Sequence, residues 1–165
     1  MADDFSFDVV SKVDPQAVED AVAVANKEIT NRYDFRGSIA RIDFNKKDLI
    51  LTLFADNEMQ LRNVADLMKG RMSKRGVPLK NLDFQKLEPA EKATVRQSVK
   101  VLQGIAKDKA KEMVAAIKKS GLKAQASIQD EQLRVSSRSK DVLQSSITLL
   151  KEKDFGLDLQ FVNFR

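Results

Sequence analysis

The sequence contains neither cysteine nor histidine. Without cysteine there is no disulfide framework and no thiolate nucleophile, and nothing calls for an oxidising compartment. Without histidine as well, a histidine-based triad and a Cys/His zinc site are excluded. Tryptophan is absent, prolines number three, and the six glycines are scattered singly. Neither G-x-x-x-x-G-K-[ST] nor G-x-G-x-x-G can be found, so no phosphate loop is legible. No apolar run approaches the roughly 20 residues that span a bilayer. The opening "MADDFSFD" is acidic and has no apolar stretch, unlike a secretory signal. No motif marks a carboxylate or lysine active site. These absences point to a non-enzymatic, cofactor-free binder in the cytoplasm, away from membranes.

What is present suits a globular protein. Of 165 residues, 42% are hydrophobic and 32% charged, enough for one ordinary domain or two small ones. Net charge is +5, with 14 Lys/Arg against 15 Asp/Glu in residues 1–90 and 15 against 9 in residues 91–165. The basic second half suggests an anionic partner, or a solvated lysine-rich face.

Periodicity gives the elements. "FSFDVVSKV" (5–13) alternates as a strand, and Asp14-Pro15 opens a helix carrying the stripe Val18, Val22, Ala25, Ile29. "SIARIDF" and "LILTLF" form a hairpin around "NKKD". Asn57 with Gln60 fits a capping box, and Leu61, Val64, Met68 and Met72 line the next helix up to Gly76. "LDF" (82–84) is a short strand. "QKLEPAEKA" (85–93) has no periodicity and reads as a junction. The same order then recurs: strand 94–103, helix to Ser120-Gly121, hairpin 124–137, helix around Leu143 and Ile147, strand 159–164. Each half is strand–helix–strand–strand–helix–strand, the split βαβ order. The expected fold is α+β: a tandem of two ferredoxin-like, RNP-like sandwiches, each a four-stranded antiparallel sheet with two helices on one face. The expected domains are 1–90 and 91–165, with exchange of strands between the two sheets left open.

Two places could carry binding. In the second half Arg96, Lys100, Gln125, Gln129 and Arg134 alternate with apolar residues, so they could share one helix-free sheet face, or simply form a solvated one. The other place is "NRYDFRG" (31–37). As structure, Tyr33 extends the helix stripe, Phe35 opens a strand, Asp34 balances Arg32 and Arg36, and Gly37 turns the chain. As a site, it offers two guanidinium groups, a carboxylate and a ring, the groups that hold a nucleotide.

The segments "SFDVVSKVD", "EITNRYDFRG", "KRG", "LQGI", "LKAQASIQDEQLRVSSRSKDVLQ" and "LQFVNFR" resemble, in collinear order along essentially the whole chain, the YajQ family of bacterial proteins. The resemblance implies a tandem of RNP-like sandwiches and a cytosolic nucleotide-binding protein, in a family whose members bind cyclic di-GMP or have been linked to RNA. The positions that match the family's recurring segments are Arg32, Asp34, Phe35, Arg36 and Gly37, then Lys74, Arg75 and Gly76, and finally Phe161, Asn163, Phe164 and Arg165. The chain departs from the family at "SSRSKD" (136–141), which lacks a glycine and a basic residue usual there; Arg138 and Lys140 are the candidates to replace them. The expected ligand is a cyclic dinucleotide such as cyclic di-GMP, or a related guanine nucleotide, at Arg32, Asp34, Phe35, Arg36, Arg96, Lys100, Arg134 and Arg138. RNA binding by the basic half, or docking of a transcription regulator with nucleotide as the switch, remain as alternatives.

Overall fold

The computed structural model describes residues 4–165. Its strands are β1 (Phe5–Val10), β2 (Arg41–Asn45), β3 (Ile50–Ala55), β4 (Leu82–Pro89), β5 (Val95–Val101), β6 (Gln125–Gln129), β7 (Gln132–Ser137) and β8 (Gln160–Val162). Its helices are α1 (Pro15–Asn31), α2 (Glu58–Lys74), α3 (Lys107–Ser120) and α4 (Lys140–Glu152). The doubled βαββαβ order is therefore present, and every strand pairing is antiparallel.

The two sheets do not follow the two halves of the chain. One has the order β6-β7-β1-β8 and the other β2-β3-β5-β4. Each is a split-βαβ sheet whose first strand comes from the opposite half. The compact units are accordingly the chain up to Lys12 with Gln103–Arg165, and Val13–Leu102, rather than 1–90 and 91–165. The reason lies in the segment read as a junction. Its residues extend β4 as far as Pro89, and a tight hairpin then carries the chain into β5, with Ala90 N–H donating to Thr94 C=O at 2.8 Å. A hairpin this short forces β5 to lie beside β4. The place of a first strand in that sheet is thereby filled, and β1 occupies the equivalent place between β7 and β8. Pro89 is compatible with a strand because β4 is an edge.

The Val13–Leu102 unit starts as its sequence dictates. Asp14 accepts from Gln16 N–H at 3.0 Å and Pro15 opens α1, whose Val18, Ala21, Val22, Ala25 and Ile29 are buried. They meet Leu61, Val64, Met68 and Met72 of α2 and the inward residues of the sheet, Ile42, Leu51, Leu53, Val99 and Val101. Asn26 ties α1 to the edge strand: its amide donates to Ile42 C=O and accepts from Ile42 N–H, both at 2.8 Å. Asn57 caps α2 by accepting from Gln60 N–H, while the Gln60 side chain reaches back to Asp56 N–H.

In the other unit Phe7, Val9, Leu133 and Val135 are buried together with Met113 and Ile117 of α3 and Leu143, Ile147 and Leu150 of α4. Gly121 closes α3 in the left-handed conformation and Ser139 caps α4. The final strand is shorter than its pattern implied. Asn163 turns the chain at φ 55°, after which Arg165 and Ser6 exchange backbone hydrogen bonds of 3.0 and 3.2 Å.

The charge asymmetry between halves does not survive this rearrangement. Counted by folded unit, there are 13 Lys/Arg against 11 Asp/Glu in one and 16 against 13 in the other. Neither unit is a concentrated polycation.

Candidate functional site

The helix-free face of the β2-β3-β5-β4 sheet is set by strand parity. Leu51, Leu53 and Ala55 point inward and are buried, so Ile50, Thr52 and Phe54 point outward. Register then places Arg41 of β2, Phe54 of β3, Arg96 of β5 and Glu88 of β4 in one row across all four strands. The Arg41 guanidinium carbon lies 4.0 Å from the Phe54 ring centroid, a stacked cation–π contact. Arg41 Nε sits 3.4 Å from the Asp43 carboxylate, and Arg96 Nε donates to Glu88 Oε2 at 3.2 Å. Both ion pairs are about half exposed and are worth about 0–1 kcal/mol, so either arginine can exchange its carboxylate for a ligand anion at little cost.

A cavity of about 330 Å³ opens at this end of the sheet, lined by Ile39, Arg41, Phe54, Arg96 and the β4–β5 turn residues Ala90, Glu91, Lys92 and Thr94. That is within the size range of small-molecule sites. It combines a planar stacking platform with cations and an exposed carboxylate, Glu91.

The expected site residues fall in several places. The stretch 31–37 belongs to the same unit. A 3-10 turn, Tyr33–Phe35, follows α1 directly. Phe35 is buried in the core, so its ring is no stacking surface, and it does not open a strand. Tyr33 departs from the helix stripe and is 84% exposed. Arg32 grips Asp34 through Nε and a terminal nitrogen, both at 3.0 Å, and lies over the Phe35 ring. This hydrogen bonding holds the Asp34 carboxyl below its ordinary pKa. Arg32, Asp34 and Phe35 are thus engaged with one another. Arg36 stands over the exposed Tyr33 ring, at 5.8 Å, three residues before the cavity-lining Ile39.

Lys100 shares the open face with Arg96, opposite Ile50 and Asp83. Arg134, Gln125 and Gln129 do not, because they belong to the other sheet, in the other unit. Arg134 there donates to Asp8 at 2.9 Å, and Asn163 Nδ2 donates to the same carboxylate at 2.8 Å. Asp8 is only 2% exposed. The Arg134 hydrogen bond, against the opposing effect of burial, keeps the Asp8 pKa below its ordinary value, and Arg134 is raised in turn. Arg138 lines a 510 Å³ cavity with Lys123, Gln125, Ser136 and Ser139 at the start of α4. That cavity has hydroxyls and cations but no aromatic ring to hold a base. Phe161 and Phe164 each pack 5.8 Å from Phe7, and Phe164, 62% exposed, also lines a cavity of about 350 Å³ with Phe5, Lys140 and Arg165.

Among the described residues no group of three or more acidic side chains could hold a metal ion, and no helix is long and apolar enough to cross a membrane. Phe54 is the residue that motif reasoning passed over. Its signal was the parity of "LILTLF": with the leucines inward, the phenylalanine must face out.

The family model described as "Nucleotide-binding protein YajQ-like" matches residues 5–165. A protein of Elusimicrobium minutum named "Nucleotide-binding protein" is 51% identical over 162 residues, covering 98% of this chain and 99% of its own. Proteins of the same name from Carboxydothermus hydrogenoformans and Chloroherpeton thalassium are 48% and 46% identical over 165 residues, covering both chains fully. The chain belongs to the YajQ family of nucleotide-binding proteins.

Proposed function

We propose that this protein binds a guanine nucleotide in the cytoplasm, a cyclic dinucleotide such as cyclic di-GMP first among them, on the open face of the Val13–Leu102 sheet, and releases it unchanged. The observation that carries the proposal is the row Arg41–Phe54–Arg96. A base stacks on the Phe54–Arg41 platform as bases do on aromatic rings and guanidinium planes in RNP-like folds. Arg96 meets a phosphate with its planar donor fork. Glu91, exposed at the cavity wall, offers the acceptor that a guanine edge requires. The names of the relatives support a nucleotide as ligand; the choice of a cyclic dinucleotide rests on the family resemblance. Neither cysteine nor histidine is present to turn the ligand over.

RNA is the second reading, because the same face continues past Thr52 and Ser98 to Lys100. It has one aromatic platform where RNA-recognition modules present two or three. Calorimetry across a range of salt concentrations separates the two. Binding of single-stranded RNA through Z phosphates should follow a log–log slope near −0.7Z, whereas a dinucleotide with two phosphates should respond weakly. Phe54→Ala should lower affinity by about 1–3 kcal/mol per stacked base. Its thermal melt should change little, since Phe54 lies outside the core. Arg32→Ala should leave affinity unaltered. Unchanged affinity in Phe54→Ala would remove the site from this face.

A further inference from the structure

The turn that closes the cavity has a backbone its residues do not favour. Lys92 sits at φ 56°, ψ 40° and Ala93 at φ 61°. Thr94 N–H donates to Glu91 C=O at 3.1 Å and its hydroxyl to the same oxygen at 2.6 Å. Two consecutive left-handed residues at the centre of the Glu91–Thr94 turn match the positive-φ pair of type I′ geometry, for which Asn-Gly or Asp-Gly is the usual solution. A side chain with a Cβ is disfavoured there. Elsewhere the chain meets positive φ with glycine, as at Gly37, Gly104 and Gly121, or with Asp130 and Asn163. Leu49 is another exception, and its side chain packs on the core. Lys92 and Ala93 are exposed and have no such packing. Local strain that packing does not explain points toward function.

Lys92 also differs from the other cations of the cavity. Arg41 and Arg96 each hold a carboxylate, whereas Lys92 has no ion-pair partner among the described residues. We infer that Lys92 is the phosphate-contacting arm of the site, and that the strained turn is kept because glycine or asparagine at this position would forfeit the ammonium. The inference rests on the nucleotide reading above. It adds a residue that no motif marks, on a backbone that trades stability for placement. A lysine suits the role: a compact point charge on a flexible stem, reaching an anion already oriented by a planar arginine and a stacked base.

Stability and affinity should move in opposite directions. Lys92→Gly should raise the melting midpoint by a few degrees, because it relieves the left-handed strain. It should also weaken binding of cyclic di-GMP about tenfold or more, as expected for loss of a charge-assisted contact. Ala93→Gly should raise the midpoint similarly and leave affinity within about twofold. Lys92→Arg should retain most of the affinity. A role confined to the turn would give higher stability in both glycine variants with no loss of binding, and that result overturns the inference. So does a lower melting midpoint in Lys92→Gly. If Phe54→Ala loses binding while Lys92→Gly keeps it, the inference alone fails. If Phe54→Ala also binds normally, or neither cyclic di-GMP nor GTP binds the unaltered protein, the nucleotide reading fails and the inference with it.

Discussion

A chain cut to residues 13–102 is expected to fold with a cooperative melt, and a chain cut to residues 1–90 is not. The first fragment retains β2, β3, β5 and β4, both covering helices, and the whole apolar cluster from Val13 to Val101. The Asn81–Leu102 pair of hydrogen bonds, at 2.7 and 2.9 Å, closes its end. The second fragment lacks β5, which among the described residues is the only partner of β4 and one of the two partners of β3. Two ladders of backbone donors and acceptors are then left without partners, and Val99 and Val101 are lost from the core. It also carries β1 without β7 or β8. Circular dichroism with urea titration distinguishes the outcomes. A sigmoidal transition in the 1–90 fragment, as sharp as that of 13–102, would contradict the strand exchange.

Asp8→Asn is expected to destabilise the other unit by about 3 kcal/mol at neutral pH. Removing one partner of a buried ion pair typically costs about 3–5 kcal/mol, and the lower end applies because the Arg134 side chain keeps about a third of its exposure. Asn163 loses a charged acceptor at the same time. The pH dependence has a definite sign. Arg134 and Asn163 hold the Asp8 pKa down in the folded state, while the unfolded chain titrates near about 3.9. The carboxylate's contribution is therefore full above about pH 4 and fades as pH falls through the lower folded value. The gap between wild type and Asp8→Asn should be wide at pH 7 and close in acid. Guanidinium titrations at several pH values measure it, and a gap that stays constant down to pH 2 would exclude the ion pair as its source.

The elements of this fold were legible because each has a local cause. Asp14-Pro15, Asn57 with Gln60, and Gly121 mark helix ends through hydrogen bonds the chain makes with its near neighbours. Strand partnership has no such cause. Phe5, Phe7 and Val9 alternate much as Val95, Val99 and Val101 do, so pattern alone cannot say which sheet receives which strand. The deciding feature was a hairpin written without its usual residues: Lys92-Ala93 stands where Asn-Gly was the cue, and Pro89 disguises the end of β4. On the open sheet face, Arg96 and Lys100 are the candidates that alternation placed together. Grouping them with Arg134 failed because the grouping presumed the wrong sheet. Phe35 misled for a different reason. An aromatic residue between two arginines looks the same in sequence whether it stacks a base or fills a core, and burial decides for the core.

Chemical-shift mapping of isotopically labelled protein during titration with cyclic di-GMP tests the central claim most directly. The account predicts saturable shifts concentrated at Arg41, Phe54, Glu91, Lys92, Thr94 and Arg96, with Arg32, Asp34, Asp8 and Arg134 little affected. Saturable shifts confined to the Gln103–Arg165 unit, around Arg138 and the start of α4, would contradict it.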